Sequence, residues 1–135
     1  MVLVDTSVII GYLKGESGKK EILLDEILDH NVPYGISAFT YQELLQGARD
    51  DAEWETLKDY LSTQKIYYLK QTTDTYEKGA RLFFNLRRKG ITPHSIVDLL
   101  IVLTALEYDL VLLHNDRDFD LIGDHLPELR ILEQI

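Results

Sequence analysis

Residues 96–113 read IVDLLIVLTALEYDLVLL, and this stretch decides the fold class of the 135-residue chain. Its first part, from Ile96 to Tyr108, is strongly apolar and long enough to predict a buried helix. Its last part, from Leu110 to Leu113, is a continuous aliphatic run of strand length, which is typical of a central parallel strand. A helix that leads directly into such a strand indicates an α/β architecture.

The same alternation of short apolar runs and helical patterns extends over the rest of the chain. Further strands are predicted at residues 2–4, 34–37, 66–69 and 130–132, and further helices at 7–14, 19–30, 39–48, 52–62 and 72–89. Because helices separate the strands, we predict an α/β fold with a short, mostly parallel central sheet covered by helices on both faces. No repeat, linker or low-complexity segment interrupts this pattern, so we predict a single domain over residues 1–135.

The composition excludes several classes of protein. Hydrophobic residues make up 45% of the chain, enough for a core, which excludes intrinsic disorder as the overall class. The absence of cysteine excludes disulfide scaffolds, thiolate zinc sites and cysteine nucleophiles. The longest aliphatic run, 99–103, is far shorter than the roughly 20 residues of a membrane helix, and the N-terminus lacks the basic region of a signal peptide. We therefore expect a soluble, cytoplasmic protein with no membrane partner.

The net charge is −9, from 23 acidic residues against 14 Lys and Arg. Such a charge argues against nucleic acid binding if the acids are spread evenly over the surface, because the nucleic acid backbone attracts basic proteins. The positions of the acids along the chain therefore matter more than their number.

Four acids stand where the predicted elements meet. Asp5 directly follows the first strand, and Asp116 follows the strand that ends at Leu113. Asp98 lies near the start of an otherwise aliphatic helix, and Glu43 lies on the helix after the second strand. Because the carboxyl ends of parallel strands meet at one edge of a sheet, we expect these carboxylates to lie close together there.

Each acid also has a simpler explanation when it is taken alone. Asp5 could be a helix N-cap, Asp98 a helix-terminal acid favoured by the dipole, Glu43 a solvated helix residue, and Asp116 and Asp118 turn residues. Their convergence on one edge favours a shared site, since clustered carboxylates without cationic partners repel one another unless a divalent metal neutralises them. Oxygen-only ligands select Mg²⁺ or Mn²⁺, and such sites usually serve phosphoryl chemistry.

Four short motifs of the chain resemble those of the PIN domain, and more narrowly those of the VapC-type toxins of prokaryotic toxin–antitoxin pairs. The resemblance runs from residue 3 to about residue 132 in the order of the family's motifs. Each motif is weak alone, but together they are specific. The four motifs are VDTSV at 4–8, ELLQG at 43–47, IVDLLIV at 96–102 and HNDRDF at 114–119.

The resemblance implies a PIN-like three-layer sandwich and a metal-dependent ribonuclease. The family's first, second and third acids map onto Asp5, Glu43 and Asp98. For the fourth acid, family members use either of two positions, and this chain has an acid at both. We predict Asp116, which is nearer the strand end, with Asp118 as an alternative or outer ligand.

Further expectations follow from the same resemblance. Thr6 matches the small hydroxyl residue after the first acid, which could hold Asp5 or a metal-bound water. The cofactor is expected to be Mg²⁺ or Mn²⁺, and the substrate RNA, commonly tRNA or rRNA, cleaved to 5′-phosphate and 3′-hydroxyl ends. Homodimerisation and a cognate VapB-like antitoxin that blocks the acidic groove are also implied.

A basic strip near the end of one predicted helix is the candidate RNA contact. The strip comprises Arg81, Arg87, Arg88 and Lys89. Its simpler interpretation is a solvated helix face with cations near the helix C-terminus, where the dipole favours them.

Two other functions are compatible with the same four acids. One is a PIN-fold nuclease that acts on DNA or flap structures, and the other is a catalytically silent PIN fold that serves as a binding module. Comparing matched RNA and DNA oligomers distinguishes the first alternative, and Mn²⁺ binding distinguishes the second.

Overall fold

A computed structural model describes all residues from Met1 to Ile135 and contains five strands and seven helices. In chain order the elements are β1 (Val2–Val4), α1 (Thr6–Leu13), α2 (Lys19–Asp29), β2 (Tyr34–Ser37), α3 (Ala38–Gln46), α4 (Asp51–Leu61), β3 (Ile66–Tyr67), α5 (Thr73–Arg88), α6 (Ile96–Glu107), β4 (Val111–Leu113), α7 (Arg117–Asp124) and β5 (Arg130–Ile131).

The five strands form one sheet in the order β3-β2-β1-β4-β5, and every neighbouring pair is parallel. β1 is the central strand, and its register with β4 pairs Val4 with Leu113. The ladder continues one step further, since Asp5 N–H donates to the carbonyl of Leu113 at 2.9 Å. The predicted α/β class and parallel sheet are confirmed, and the carboxyl ends of β1 and β4 lie side by side.

Helices cover both faces of the sheet, which gives the expected three layers. Side chains alternate between the two faces of a strand, so Val2 and Val4 pack with α1, α2 and α3, while Leu3 packs with α5, α6 and α7. Each face has its own core cluster of 12 buried residues. The two cores hold β1 from both sides and fix the position at which Asp5 leaves the sheet.

The long apolar helix α6 lies in the second of these layers. Its aliphatic side chains pack between the sheet and α5, and six of its twelve residues are buried. None of the seven helices combines the length and hydropathy needed to cross a membrane.

Two elements differ from those that the sequence predicts. The segment Arg117–Asp124, for which the sequence predicts no element, is the helix α7. Its sequence is mostly polar, and its inward side is made by Phe119 and Ile122, which are buried three residues apart. The strand predicted at 66–69 ends at Tyr67, because the ring of Tyr68 is exposed and its carbonyl accepts a hydrogen bond from the Tyr108 hydroxyl rather than from a strand.

Candidate active site

Asp5 lies at the carboxyl end of β1 and is also the N-cap of α1. Its Oδ2 accepts hydrogen bonds from the backbone N–H of Ser7 at 3.0 Å and from the Ser7 hydroxyl at 2.6 Å. The side chain is 5% exposed, and burial raises the pKa of its carboxyl above the ordinary value. The capping interpretation is therefore true of Asp5, and it places the carboxylate at the edge of the sheet where a site was expected.

Ser7 connects Asp5 to the segment that follows β4. The Ser7 hydroxyl donates to Asp5 and accepts from the backbone N–H of Asn115 at 2.9 Å. One hydroxyl thus joins the first acid to the segment that carries the fourth. Sequence reasoning missed this role, although a serine two residues after an N-cap aspartate was a usable signal.

Glu43 lies on α3, and its partner corrects one expectation. The Thr6 hydroxyl donates to Glu43 Oε1 at 2.8 Å and has no hydrogen bond to Asp5. Of the two roles expected for the Thr6 hydroxyl, the contact with Asp5 is made by the Ser7 hydroxyl instead, because Thr6 begins α1 with its side chain directed across to α3.

Asp98, Asp116 and Asp118 form a tight cluster, with one carboxylate oxygen from each lying within 4.8 Å of the others. Asp98 is in the first turn of α6, and Asp116 is the N-cap of α7, where its Oδ1 accepts from the backbone N–H of Asp118 at 3.0 Å. Two helix N-termini therefore bring these three acids together. Asp5 and Glu43 lie outside this cluster.

The electrostatics of Asp98 nevertheless link all five acids. Burial, followed by the negative charges of Asp116, Asp5, Asp118 and Glu43, raises the pKa of Asp98 to about 7. A carboxyl that retains its proton near neutral pH in this way lies in a negative field that nearby cations do not offset. The site thus favours a group that brings positive charge to it.

No Lys or Arg forms an ion pair with these acids, although the charge of Arg117 acts on Asp118 from beyond ion-pair distance. The ion pairs of Lys and Arg lie elsewhere, at Lys19, Arg49, Lys78 and Arg130. Carboxylate oxygens are the ligands that hard divalent cations prefer. The donor set and its uncompensated charge therefore fit Mg²⁺ or Mn²⁺, and a metal site with Asp98, Asp116 and Asp118 at its centre matches this geometry.

Residues 2–124 match the PIN domain. Ribonuclease VapC19 of Mycobacterium tuberculosis is 32% identical over 130 residues, which cover 94% of this chain and 98% of that protein. The chain belongs to the VapC branch of the PIN-domain family. Ribonuclease VapC11 of the same species is 27% identical over 124 residues, 91% of this chain and 92% of the relative.

Solved structures share the PIN fold along the whole chain. VapBC2 from Rickettsia felis, bound to a DNA fragment from its promoter, has a TM-score of 0.73 at 21% identity and covers 98% of both chains. FitAcB from Neisseria gonorrhoeae has a TM-score of 0.71 at 18% identity, covering 98% of this chain and 97% of that one. The strand order and helix layers described above are thus those of the PIN fold.

In this PIN site, His94 contacts one of the clustered acids. Its Nδ1 lies 2.8 Å from Asp118 Oδ2, and its backbone N–H donates to the same oxygen at 3.3 Å. The hydrogen bond raises the pKa of His94 and lowers the pKa of Asp118. No local sequence pattern relates two residues that are 24 positions apart, so this contact was not predicted.

His114 contacts the backbone of Asp116, one of the clustered acids. The ring is buried and packs at a tilt against Phe119 with a centroid distance of 5.1 Å, and its Nδ1 accepts the backbone N–H of Asp116 at 3.1 Å. Its Nε2 lies 3.1 Å from Asp120 Oδ1. Burial lowers the pKa of the imidazole, which keeps Nδ1 available as an acceptor and holds the start of α7 in place.

The predicted basic strip lies on α5 and its C-terminal end. The guanidinium groups of Arg81 and Arg88 lie 5.0 and 5.5 Å from the ring centroid of Phe84, and that of Arg87 lies 5.8 Å from Phe83. None of these arginines forms an ion pair with the five acids, so their positive charge remains available to a ligand.

Proposed function

We propose that this chain is the toxin ribonuclease of a VapBC-type toxin–antitoxin pair and hydrolyses RNA phosphodiester bonds at its carboxylate site with Mg²⁺ or Mn²⁺. The observation that carries the proposal is the cluster of Asp98, Asp116 and Asp118, whose oxygens lie within 4.8 Å of one another with no Lys or Arg to pair them. A phosphodiester is itself an anion, so a cation is needed for both to occupy one site.

In the proposed mechanism, four carboxylates hold the metal and orient the reactants. Asp5, Glu43, Asp98 and Asp116 are the proposed ligands. When bound, Mg²⁺ or Mn²⁺ supplies an activated water and stabilises charge on the phosphate oxygens. Hydrolysis joins the water oxygen to phosphorus and breaks the bond to the 3′-oxygen, which leaves with a proton, so the products are a 5′-phosphate and a 3′-hydroxyl.

Asp116 is the better candidate for the fourth ligand, with Asp118 in an outer position. Asp116 is exposed, and its Oδ1 is engaged only by the backbone N–H of Asp118. Asp118 is 13% exposed, and its Oδ2 is already held twice by His94. A cation would have to compete with His94 for Asp118 but not for Asp116.

A cleavage assay with matched RNA and DNA oligomers tests the proposal. We expect RNA cleavage in Mg²⁺ or Mn²⁺, 5′-phosphate ends on the products, and no cleavage in EDTA. Equal cleavage of the DNA oligomer would instead support the DNA or flap nuclease. If no Mn²⁺ binding is seen by calorimetry and nothing is cleaved, the chain is the silent binding module.

The basic strip supports RNA as the substrate through its local charge. Residues 78–97 contain five Lys or Arg and no Asp or Glu, which leaves nine Lys or Arg against 23 acids elsewhere, a net charge of −14. This acid-free segment ends immediately before Asp98. The positive charge of the chain is therefore concentrated next to the proposed catalytic acids in sequence.

The packing of α5 on α6 supports a position of the C-terminal part of the strip on the same side as the acids. Because residues 89–95 join them, the two helices run antiparallel, and Gly79 packs against Leu103, whose Cδ1 would lie 3.2 Å from an added Cβ. From that contact, Arg87 lies about 12 Å and Asp98 about 7.5 Å along the helix axes in the same direction. We therefore propose that Arg81, Arg87, Arg88 and Lys89 contact the RNA backbone.

Replacing Arg87 and Arg88 together by Gln should weaken RNA binding and its dependence on salt. Each phosphate contact to a single strand contributes about 0.7 to the slope of log affinity against log salt, so we expect the slope to fall by about 1.4. Anisotropy of a labelled RNA oligomer without divalent metal measures this slope. Lys65→Gln with Arg130→Gln removes two cations at the opposite, amino edge of the sheet and should leave it unchanged; equal losses would contradict the proposed contact.

A groove beside Glu43 is the proposed binding site of the antitoxin. It has a volume of about 680 Å³, and its apolar side includes Ile10, Leu13 and Leu57. Because the groove borders Glu43, a segment lying in it would reach the acidic site. The solved structures of similar fold include VapBC complexes, and the acidic chain suits a basic antitoxin. We also propose a homodimer acting on tRNA or rRNA in the cytoplasm.

A further inference from the structure

Three hydroxyl side chains form a continuous row that ends on Glu43. Ser37 lies at the end of β2, Thr40 is one turn into α3, and Thr6 is the first residue of α1. The hydroxyl oxygens lie 3.2 Å apart between Ser37 and Thr40 and 3.0 Å apart between Thr40 and Thr6, and Thr6 lies 2.8 Å from Glu43 Oε1. Ser37 and Thr40 are 1% and 0% exposed. We call Ser37, Thr40 and Thr6 the hydroxyl row.

The chemistry of these groups gives the row one direction. A hydroxyl carries a single hydrogen, and an ionised carboxylate oxygen can only accept. If Thr6 donates to Glu43, it must accept from Thr40, and Thr40 must then accept from Ser37. Ser37 in turn accepts the backbone N–H of Thr40 at 3.0 Å. Thr6 is also placed to donate to Thr40, but a Thr6 that does so leaves Glu43 Oε1 without a hydrogen, so an ionised Glu43 selects the arrangement in which all three hydroxyls donate toward it.

The usual hydrogen bond of a helical threonine does not explain why the Thr40 hydroxyl is buried. A helical threonine often bonds the carbonyl four residues earlier, as Thr104 does with Leu100 at 2.8 Å and Thr56 with Ala52 at 3.1 Å. The Thr40 hydroxyl has no backbone partner, and its contacts are with Ser37 and Thr6 alone. A fully buried hydroxyl is costly unless it is hydrogen-bonded, so the row accounts for its presence.

Capping of α3 does not account for it either. The N-cap contact of this helix runs from the backbone N–H of Thr40 to the Ser37 oxygen. Any residue other than proline at position 40 would supply that N–H. The side-chain hydroxyl of Thr40 is therefore additional to the cap and acts only along the row.

We propose that Thr40 and Ser37 are positioning residues that act through Thr6 to fix the Glu43 carboxylate for a divalent cation. The inference rests on the proposed function of the carboxylate site. A hydrogen bond from Thr6 to Oε1 restricts the rotation of the Glu43 carboxylate and leaves Oε2 as the oxygen available to the cation. Groups that orient a metal ligand in this way commonly change metal affinity by 10- to 100-fold when removed.

The test compares Mn²⁺ dissociation constants of the full chain by calorimetry, without RNA. Thr6→Val should weaken Mn²⁺ binding by about tenfold, and Thr40→Val by about fivefold because it acts at one remove. Thr40→Ser restores the hydroxyl and should return the constant to within about twofold of wild type. Thr104→Val removes an equally buried hydroxyl bonded to its own helix and should leave Mn²⁺ binding unchanged.

A double variant separates the row from independent packing effects. If Thr40 acts through Thr6, the Thr6→Val and Thr40→Val double variant binds Mn²⁺ as weakly as Thr6→Val alone, whereas independent effects multiply. Thermal unfolding of each metal-free variant reports packing separately.

Two results would overturn the inference. One is Thr40→Val with a lowered unfolding midpoint but a wild-type Mn²⁺ constant, and the other is a failure of Thr40→Ser to restore binding. A wild-type chain that binds Mn²⁺ but cleaves no RNA defeats the proposed function instead, and the Mn²⁺ constants still decide the role of the row.

Discussion

Asp98→Asn should lower the rate of RNA cleavage about a thousandfold or more and, at the same time, stabilise the metal-free protein. Activity falls because Asn lacks the negative charge that holds the cation on which the charge stabilisation depends. Stability rises because the wild-type carboxyl must ionise, above a pKa of about 7, in the field of four other acids. We therefore expect the Asp98→Asn substitution to lower the activity and to raise the stability of the protein.

The size of the stability gain follows from the pKa of Asp98. Its rise from 3.8 to about 7 corresponds to about 4 kcal/mol at full strength. Solvent screening around the partly exposed carboxyl reduces the expected gain to about 2 kcal/mol at pH 8. Chemical denaturation of both proteins in EDTA measures it.

Asp51→Asn is the matched control, since Asp51 is an exposed acid in the first turn of α4, as Asp98 is in the first turn of α6. It should retain full cleavage and lose a few tenths of a kcal/mol of stability through the weaker helix-dipole interaction. An Asp98→Asn protein that still cleaves RNA, or that is less stable than wild type at pH 8, would contradict the assignment.

Mn²⁺ should stabilise the protein strongly at pH 8 and much less at pH 6. At a hundredfold excess over its dissociation constant, a ligand of the folded state alone adds about 2.7 kcal/mol. Binding requires ionised carboxylates, and the pKa of Asp98 is about 7. Each pH unit below 7 should therefore weaken Mn²⁺ binding by about tenfold, and thermal unfolding at fixed Mn²⁺ follows the change.

Without metal the pH dependence has the opposite sign. Because the folded pKa of Asp98 is raised, its contribution to stability is complete below pH 3.8 and is lost as the pH rises through about 7. The raised pKa of His94 acts in the same direction near neutrality, and the lowered pKa of His114 acts against it as the pH falls. The Asp98→Asn protein retains both histidines, so the difference between its pH dependence of stability and that of the wild type is the contribution of Asp98. Equal Mn²⁺ stabilisation at pH 6 and pH 8 would refute the expected link between Mn²⁺ binding and the ionisation of Asp98.

The parts of the structure that the sequence predicted are those determined by hydrophobic pattern. The aliphatic runs of β1 and β4 predicted two strands of a mostly parallel sheet. The structure makes them neighbours, and their register places Asp5 beside the segment that follows Leu113. The aliphatic surroundings of Asp98 likewise predicted a carboxyl in a costly environment, and its raised pKa agrees. Burial depends on composition over a short window, which a single sequence displays directly.

The parts that could not be predicted depend on side chains from distant segments. The contact of Thr6 with Glu43 spans 37 residues, and that of His94 with Asp118 spans 24. The helix α7 was missed because only Phe119 and Ile122 face the core in a polar segment. Such contacts are decided by tertiary packing, to which local periodicity gives no access.

The convergence of helix N-termini has a consequence for the protein before any cation arrives. Asp5 caps α1, Asp116 caps α7, and Asp98 lies in the first turn of α6. The macrodipole of each helix places about half a positive charge at that end. Three backbone dipoles thus partly compensate acids that form no ion pair with Lys or Arg, so folding does not require the proposed cation to be bound first.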